Sequence, residues 1–280
     1  MRDVTVVRVP QWQGSSIARA RLLAHGADLL ADTVPGARIL SVQVPDGPGT
    51  ERDGVRALDV LTAVAAGART ALTEVGDGPA ITVGGDCGVE LGPVSAALAR
   101  HGDALTVVWF DAHGDLNTPE SSPSHAFHGM VLRTLLGEGP AELVPERPLR
   151  PDQVVLAGTR ALDLAEQAYI AHTGLGVVTV AELLAEPDHL IEAVTATGAT
   201  AVYIHIDLDV LDPDTFGSLS CPEPGGLPPH AIQAAIQALT NRFTLAGLGI
   251  TEYAPAYPED QISLATLIPS LLPSRPRRTR

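Results

Sequence analysis

Leu105-Thr106-Val107-Val108-Trp109-Phe110 runs directly into Asp111-Ala112-His113-Gly114-Asp115, and this junction decides the fold of the chain. The first stretch carries no charge, which is typical of a strand buried on both faces of a parallel sheet. The abrupt change to acidic and imidazole side chains marks the carboxyl end of that strand. Because ligands bind beyond the carboxyl ends of strands in open α/β sheets, the junction also predicts a functional site.

Two further segments show the same change from apolar to polar residues. Ile81-Thr82-Val83 precedes Gly84-Gly85-Asp86-Cys87, and Val202-Tyr203-Ile204 precedes His205-Ile206-Asp207-Leu208-Asp209. Parallel strands end at the same edge of a sheet, so we expect all three polar clusters to meet there.

Short runs rich in valine and isoleucine alternate with longer alanine- and leucine-rich segments of helical period. This alternation predicts an α/β fold of three layers, with a mainly parallel central sheet of about eight strands flanked by helices. No repeat or long linker interrupts it, so residues 1–280 are expected to form a single domain. The predicted strands cover residues 5–9, 37–44, 80–83, 105–110, 153–157, 176–179, 201–206 and 244–250. The predicted helices cover residues 16–33, 54–75, 92–100, 161–172, 180–185, 229–240 and 261–272.

The composition excludes several classes of function. The chain has 280 residues, 45% of them hydrophobic, and a net charge of −15. No basic stretch occurs before the arginine-rich segment 275–280, interpreted as a disordered end, so no nucleic-acid surface is expected. The amino-terminal region lacks an apolar signal segment, and no run of about 18 apolar residues follows it. We therefore expect a soluble, cytoplasmic protein without a membrane partner.

The spacing of the acidic residues predicts bound metal ions. Alternate residues of an extended chain point to one side, so Asp111, His113 and Asp115 share a face, as do Asp207 and Asp209. Four carboxylates in one pocket need a counter-charge, and carboxylate with imidazole suits manganese, zinc or iron. Four acids and a histidine exceed the ligands of one tetrahedral zinc, which favours two metals. The alternative is that each Asp only caps a helix or a turn. That interpretation would be preferred for a single D-x-D pair, but it is disfavoured for two acidic segments that each end a buried strand.

These segments resemble the signatures of the ureohydrolase family, which contains arginases, agmatinases and their relatives. The GGDH, DAHxDxN and DxDxxDP motifs of that family correspond to residues 84–87, 111–117 and 207–213. They occur in the family's order and at similar intervals, and the resemblance extends from about residue 80 to 255. The three motifs together are more specific than any one of them, and they imply an arginase-like fold.

The resemblance implies two Mn²⁺ ions per chain. Asp111 and Asp207 would bridge the two metals. Asp115 would complete one metal together with Cys87, and His113 and Asp209 would complete the other. A hydroxide held between the metals would attack the guanidine carbon, because coordination lowers the pKa of water.

Catalytic roles follow from the same resemblance. Asp115 would relay a proton to the leaving nitrogen, and His128 would shuttle protons. Glu252 would hold the guanidinium group. A lone histidine is more often structural, as we interpret His125, and His128 is distinguished because its His-Gly pair and its offset match the family.

Residues at the far end of the site favour an α-amino-acid substrate over agmatine. By resemblance, Asn117 and Ser124 would bind the α-carboxylate of the substrate. Asp163 and Glu166, which follow the Gly158-Thr159-Arg160 segment, would contact its α-amino group. Alone, these two acids would be interpreted as a solvated face of the first turn of a helix, where acidic residues are favoured.

Two departures from the family pattern suggest a modified substrate. Cys87 replaces the usual histidine ligand, and a thiolate is softer than imidazole and prefers zinc or iron. Cys221 replaces a small polar residue near the guanidine pocket, where it would contact the substrate. Together they favour the branch of the family that converts Nω-hydroxy-L-arginine to hydroxyurea and L-ornithine in antibiotic biosynthesis.

Several alternatives stay open. The chain could be an arginase, an agmatinase or another guanidino-acid hydrolase that tolerates Cys87, a deacetylase of related fold, or a pseudoenzyme that lost a ligand. His205 shares a strand face with Asp207 and could support a carboxylate or replace the missing imidazole, although support or packing is favoured. The expected partner is a small guanidino amino acid. The short segment after Glu252 puts the usual family trimer in doubt, so a monomer is one alternative.

Overall fold

A computed structural model describes residues 4–76, 78–186 and 188–272, and the arginine-rich segment 275–280 lies outside them. The described chain forms one sheet of eight strands in the order β2-β1-β3-β8-β7-β4-β5-β6, and every neighbouring pair is parallel. The predicted parallel sheet of about eight strands is therefore confirmed. The strands are β1 (Thr5–Val9), β2 (Arg38–Ser41), β3 (Ala80–Gly84), β4 (Leu105–Phe110), β5 (Val154–Ala157), β6 (Gly176–Val178), β7 (Ala201–Asp207) and β8 (Thr244–Thr251).

Helices cover both faces of the sheet. On one face α1, α7, α8 and α9 pack into a core that includes Leu30, Val194 and Ile236. On the other face α3 and α4 place Val94 and Leu132 against the central strands. The α-helices are α1 (Arg21–Asp32), α2 (Leu58–Leu72), α3 (Leu91–His101), α4 (Val131–Leu135), α5 (Leu164–Thr173), α6 (Val180–Ala185), α7 (Asp188–Ala196), α8 (Pro229–Arg242) and α9 (Pro258–Leu271).

Two of these helices, α4 and α7, are absent from the sequence prediction. The five residues of α4 are too few to show a helical period. In α7 the apolar positions include Ile191 and Val194, whose branched side chains lower helix propensity. Packing of its buried Leu190 and Val194 on the sheet supplies the stability that local propensity does not.

The central strands position the predicted site. In the sheet, β3, β8, β7 and β4 are consecutive neighbours. Phe110 pairs with Ile206, and Asp207 pairs with Thr251, so the polar residues that follow these strands stand side by side. The clusters around Cys87, Asp111 and Asp207 therefore meet at one edge, as the sequence predicts.

Within the described residues, the longest α-helix is α2, with 15 residues. None of the helices there combines the length and the apolar character needed to cross a bilayer.

Candidate functional site

A cavity of about 380 Å³ opens at the carboxyl edge of the sheet. Every residue predicted to bind substrate lines it: Asn117, Ser124, Asp163, Glu166 and Cys221. The predicted catalytic and metal residues on its wall are His113, Asp115, His128, Asp207 and Asp209. Three residues that the sequence did not single out, Ser122, Pro123 and Glu223, complete part of the rim. The structure thus gathers residues from four separate segments around one space.

Asp111, His113 and Asp209 form one potential metal site, which we call the outer half-site. Their ligand atoms all lie within 4.8 Å of one another. His113 Nδ1 is 3.0 Å from Asp209 Oδ2 and 3.5 Å from Asp111 Oδ1. The His113 side chain is 32% exposed, so this group faces the cavity.

Cys87, Asp111, Asp115 and His205 form a second potential metal site, which we call the inner half-site. Their ligand atoms also lie within 4.8 Å of one another, and all four residues are buried. Asp111 belongs to both half-sites, the position expected of a carboxylate that bridges two cations. Cys87 additionally donates a hydrogen bond to Asp207 Oδ2 at 3.2 Å and groups with Asp207 and Glu252 as potential ligands.

The charges of this cluster require compensation. Burial, and then the neighbouring carboxylate of Asp111, raises the pKa of Asp115 well above its ordinary range. Burial, and then Asp209, does the same for the pKa of Asp207. Burial, and then the carboxylate of Asp111, raises the pKa of Asp209 to about 6. At neutral pH these acids ionise together only beside positive charge.

Two divalent cations fit the residues that are present. Asp115 Oδ2 is buried, and no residue in the described chain donates a hydrogen bond to it. A buried carboxylate oxygen without a donor is costly, and a cation beside it would satisfy it. The shared Asp111 and the two half-sites match the number of ligands that a two-metal centre needs.

His128, which is partly buried, and Glu252, which is buried, form a pair beside the cluster. His128 Nδ1 lies 3.1 Å from Glu252 Oε1, which also accepts the backbone N–H of Cys87 at 3.2 Å. Burial opposes protonation, but the hydrogen bond and the charge of Glu252 raise the pKa of His128 above its usual value. The pair can therefore keep a proton next to the site near neutral pH.

Backbone strain also concentrates here. Asp115 has φ +52° and Glu252 has φ +62°, which lie in the left-handed region that residues other than glycine rarely adopt. Such residues cost on the order of 1–3 kcal/mol and persist where the surroundings impose them. The Glu252 N–H donates to Gly85 O at 2.7 Å, and the Arg133 N–H donates to Asp115 O at 3.1 Å. Both acids are thus held in place by backbone hydrogen bonds, Asp115 to α4 and Glu252 to the segment after β3.

The far end of the cavity is a hydrogen-bonded frame. Asn117 Nδ2 donates to Asp163 Oδ2 at 2.9 Å, and Ser121 donates to Asn117 Oδ1 at 2.8 Å. Glu166 is only 3% exposed, and it accepts the backbone N–H groups of Leu116 and Asp163. Glu166 is therefore not part of a solvated face. It joins the start of α5 to the loop that carries Asn117.

Cys221 lies on the cavity wall as a neutral thiol. Burial, and then the charge of Glu252, raises the pKa of Cys221 to about 12. Its loop is fixed by Arg160, whose guanidinium donates to the carbonyls of Asp209 at 2.8 Å and Glu223 at 2.7 Å. The sequence marked the segment containing Arg160 only as a neighbour of the α-amino contacts. Its tie to the loop at 220–224 is visible only in the structure.

The sequence also did not indicate several hydrogen bonds that orient the carboxylates of the acidic cluster. Trp109 Nε1 donates to Asp111 Oδ2 at 3.1 Å, and Asp209 Oδ1 accepts the N–H of Ala112. Asp207 Oδ1 accepts the N–H of Asp209 at 2.8 Å. A tryptophan two residues before an acid is in register to face it, so the spacing of Trp109 and Asp111 was a usable signal.

Comparison with known proteins is consistent with this geometry. Residues 21–272 match the model of the Arginase family. The chain is 34% identical over 182 residues to an arginase of Staphylococcus aureus, covering 62% of this chain and 60% of that protein. It is 35% identical over 182 residues to an arginase of Bacillus subtilis, covering 62% of this chain and 61% of that one. The matched region thus spans about three fifths of the length of these relatives.

The fold is also that of solved arginases. The crystal structure of an Entamoeba histolytica arginase in complex with L-ornithine superposes with a TM-score of 0.87 at 24% identity. That superposition covers 97% of this chain and 98% of the other. At this identity the likeness shows the arginase-like fold, and the family model adds the relationship in sequence.

Proposed function

Because the chain belongs to the arginase family, whose members are metal-dependent ureohydrolases, we propose that it hydrolyses the guanidine group of an arginine-like amino acid. The observation that carries this proposal is the pair of half-sites that share the buried Asp111 and place His113, Asp115 and Asp209 on the cavity wall. Two divalent cations there would lower the pKa of water so that hydroxide attacks at neutral pH, and would stabilise the charge that develops. We propose Mn²⁺ as the metal, two ions per chain.

The residues of the chain would orient the guanidine group. Glu252 offers a buried oxygen, Oε2, that has no donor in the described structure and stands beside the metal ligands. A guanidinium group presents N–H donors in one plane and suits a carboxylate acceptor. Glu252 would therefore hold the guanidine carbon over the cluster, while its other oxygen keeps the contact with His128.

His128 and Asp115 would handle the protons. His128 lines the cavity and carries a raised pKa, so it can donate a proton to the departing amine and recover one from solvent. Asp115 also lines the cavity, and one of its carboxylate oxygens can pass a proton to the leaving nitrogen. The bond between the guanidine carbon and the side-chain nitrogen would then break and release L-ornithine.

The opposite wall would recognise the amino acid end of the substrate. Asn117 and Ser124 provide donors for an α-carboxylate, and Asp163 provides an acceptor for an α-ammonium group. The Entamoeba histolytica arginase was solved with L-ornithine, an α-amino acid, in keeping with this proposal. Agmatine has no α-carboxylate and would leave Asn117 and Ser124 without their partner.

We further propose that the substrate is Nω-hydroxy-L-arginine, which water would convert to hydroxyurea and L-ornithine. The supporting features are the buried thiol of Cys87 in the inner half-site and Cys221 on the cavity wall. A hydroxylated guanidine is less basic than that of arginine, which stays protonated, so it needs less activation for attack. The competing proposal is an arginase, the name borne by the curated relatives, which would release urea.

Steady-state kinetics on a substrate panel tests these proposals. The Mn²⁺-loaded protein would be assayed with L-arginine, Nω-hydroxy-L-arginine and agmatine, with the products identified by mass spectrometry. We expect the highest kcat/KM for Nω-hydroxy-L-arginine, with hydroxyurea and ornithine as products. Equal or higher kcat/KM for L-arginine, with urea released, would refute the hydroxylated substrate and retain guanidine hydrolysis. No turnover of any guanidine, despite two bound metals, would refute the proposed function.

A further inference from the structure

His205 is a fully buried histidine on β7, and one of its two ring nitrogens has no partner in the described protein. The residue is 0% exposed. Its Nδ1 has no hydrogen-bond partner in the described part of the chain. Its Nε2 faces Cys87 Sγ at 3.7 Å. Buried polar groups normally find partners, and an imidazole without them is costly.

The distance between these two atoms suits a shared cation. A tetrahedral cation with sulfur at about 2.3 Å and nitrogen at about 2.0 Å holds those two ligands about 3.5 Å apart. The observed separation of Sγ and Nε2 is 3.7 Å. Carboxylate oxygens of Asp111 and Asp115 lie within 4.8 Å of Cys87 Sγ and of a ring nitrogen of His205, so one ion can contact all four residues.

Glu90 stands behind the imidazole. Its Oε1 is 3.8 Å from His205 Nδ1, and neither atom has a hydrogen-bond partner in the described chain. Glu90 Oε2 is already taken, because it accepts the Tyr203 hydroxyl at 2.5 Å. Metal-ligating histidines commonly direct their second nitrogen at a carboxylate, which orients the ring and increases its basicity. A small shift of the ring would close this hydrogen bond.

The neighbouring strands hold the ring in this orientation. Trp109 is the β4 partner of His205, and the two rings stack with centroids 3.6 Å apart at 24°. Gly249 is the β8 partner, and a Cβ atom there would lie 1.7 Å from Glu90 Oε1. Glycine at 249 thus leaves the room in which the Glu90 carboxylate stands beside the histidine.

From these contacts we infer that His205 is a metal ligand of the inner half-site, binding through Nε2, with Glu90 as its positioning residue. The inference rests on the metal centre of the proposed function and deepens it. In this chain the imidazole of the inner half-site would come from β7, and Cys87 would supply a thiolate from the segment after β3. The metal would replace the thiol proton of Cys87, because a coordinated thiol is deprotonated.

A crystal structure of the Mn²⁺-loaded wild-type protein tests this assignment without any substitution. An anomalous difference map would locate the cations. We expect one within about 2.3 Å of His205 Nε2, a normal metal–nitrogen bond length for imidazole. Cations that all lie beyond 3 Å from that atom, roughly half as far again as such a bond, would overturn the inference.

Metal binding in solution gives a second test. Changing a residue that only orients a ligand costs about 10- to 100-fold in metal affinity, so His205→Ser should weaken the inner ion by at least about 100-fold. Glu90→Gln should weaken it by about 10-fold. The double variant Cys87→His with His205→Ser restores an imidazole and should regain two ions per chain.

The matched control is His125→Ser, which alters an exposed rim histidine paired with Glu51. It should leave the affinities for both metal ions unchanged. Wild-type affinity for two Mn²⁺ ions in His205→Ser, measured by equilibrium dialysis with elemental analysis, would contradict the assignment. If that variant does not fold, the crystallographic measurement decides. Because both tests report metal rather than turnover, inactivity of the wild type towards guanidines would refute the proposed function and leave the assignment standing.

Discussion

The two half-sites share Asp111 but differ in access and in chemistry. The outer half-site places His113 on the cavity wall, and its ligands are carboxylates and one imidazole. In the inner half-site only Asp115 reaches the cavity wall, while Cys87 and His205 are almost fully buried, and Cys87 adds a thiol to the ligand set. The outer half-site therefore has more of its residues open to the cavity than the inner half-site.

The two half-sites therefore separate access to the substrate from the electronic character of the metal centre. Access to the substrate depends on the side chains of the cavity wall, which retain the residue types of the motifs at 111–117 and 207–213 and depart from the family pattern at Cys221. The electronic character of the centre depends on the buried ligands, and there the chain departs from them at Cys87. Soft ligands shift metal preference towards zinc and iron, so the inner half-site is the place where a change of metal or of substrate would originate.

Removing the carboxylate of Asp111, which both half-sites share, should disrupt metal binding at both of them. In Asp111→Asn both half-sites lose a ligand, and several kcal/mol of metal-dependent stabilisation corresponds to a fall in kcat/KM of about 10³-fold or more. The measurement is turnover together with metal content per chain. Asp214→Asn, which removes the same charge from an exposed position, serves as the control and should behave as the wild type. Two tightly bound metals in Asp111→Asn would show that the carboxylate is not shared.

Removing His128 should separate proton handling from metal binding. General acid–base groups contribute about 10²- to 10⁴-fold, so His128→Ala is expected to lower kcat by at least about 10²-fold. Both metals should remain, because His128 belongs to neither half-site. His125→Ala, three residues away at the rim, is the matched control and should keep full activity. A loss of metal in His128→Ala would mean that the histidine supports a half-site directly.

Removing Asp163 should affect the amino acid end of the substrate only. The loss of one charge-assisted hydrogen bond, about 1.5–3 kcal/mol, predicts that Asp163→Ala raises KM for the amino acid by about 10-fold or more. KM for 5-guanidinopentanoate, which is arginine without its α-amino group, should stay as in the wild type. Thr179→Ala removes the N-cap residue from the equivalent capping box of α6, away from the cavity, and controls for loss of a helix cap. An equal increase of KM for both substrates would point to general disorder of the rim.

Replacing the inner thiol should move the substrate preference. Cys87→His introduces the usual family ligand, and we expect the ratio of kcat/KM for arginine over Nω-hydroxy-L-arginine to rise by about 10-fold, or about 1.4 kcal/mol. Cys221→Ser, the other cysteine at the site, allows the two positions to be compared. An unchanged ratio in Cys87→His would show that the inner half-site does not determine specificity.

The smallest expected effect is the change with pH in the stability of the metal-free protein. Burial, and then Glu252, raises the pKa of Asp86 to about 7, and burial with Asp111 raises that of Asp209 to about 6, from an ordinary 3.8. The folded state then binds more protons than the unfolded state between about pH 4 and pH 7, and stability falls as pH rises through that window. The raised pKa of His128 acts in the same direction.

By calorimetry, the metal-free protein should melt at a higher temperature at pH 5 than at pH 8. Added Mn²⁺ should raise Tm more at pH 8, because the ligands bind it deprotonated. A metal-free protein that is more stable at pH 8 would contradict the charge balance described for the cluster.

The order of elements and the location of the site could be predicted because both follow from strand ends. The uncharged strand before Asp111 and the alternation after it define a buried strand and a common face, and the same holds for Asp207 and Asp209. The helix α7 could not be predicted, because its stability comes from packing of Leu190 and Val194 rather than from propensity.

The inner half-site could be predicted only in part. Cys87 is visible as a departure from a motif, and His205 as a neighbour of Asp207. Glu90, however, lies in a short turn after Cys87, where an acid would be interpreted as favourable at the start of a helix. Its place behind His205 depends on Tyr203 and Gly249 from two other strands, and contacts of this kind leave no local pattern in sequence.

The most direct test of the account is to titrate Mn²⁺ into the metal-free protein while following ornithine release from Nω-hydroxy-L-arginine. We predict that two ions bind per chain and that turnover appears as the second ion binds, because attack requires both half-sites around Asp111. Full turnover with a single ion per chain, or ornithine release from the metal-free protein, would contradict the two-metal hydrolase.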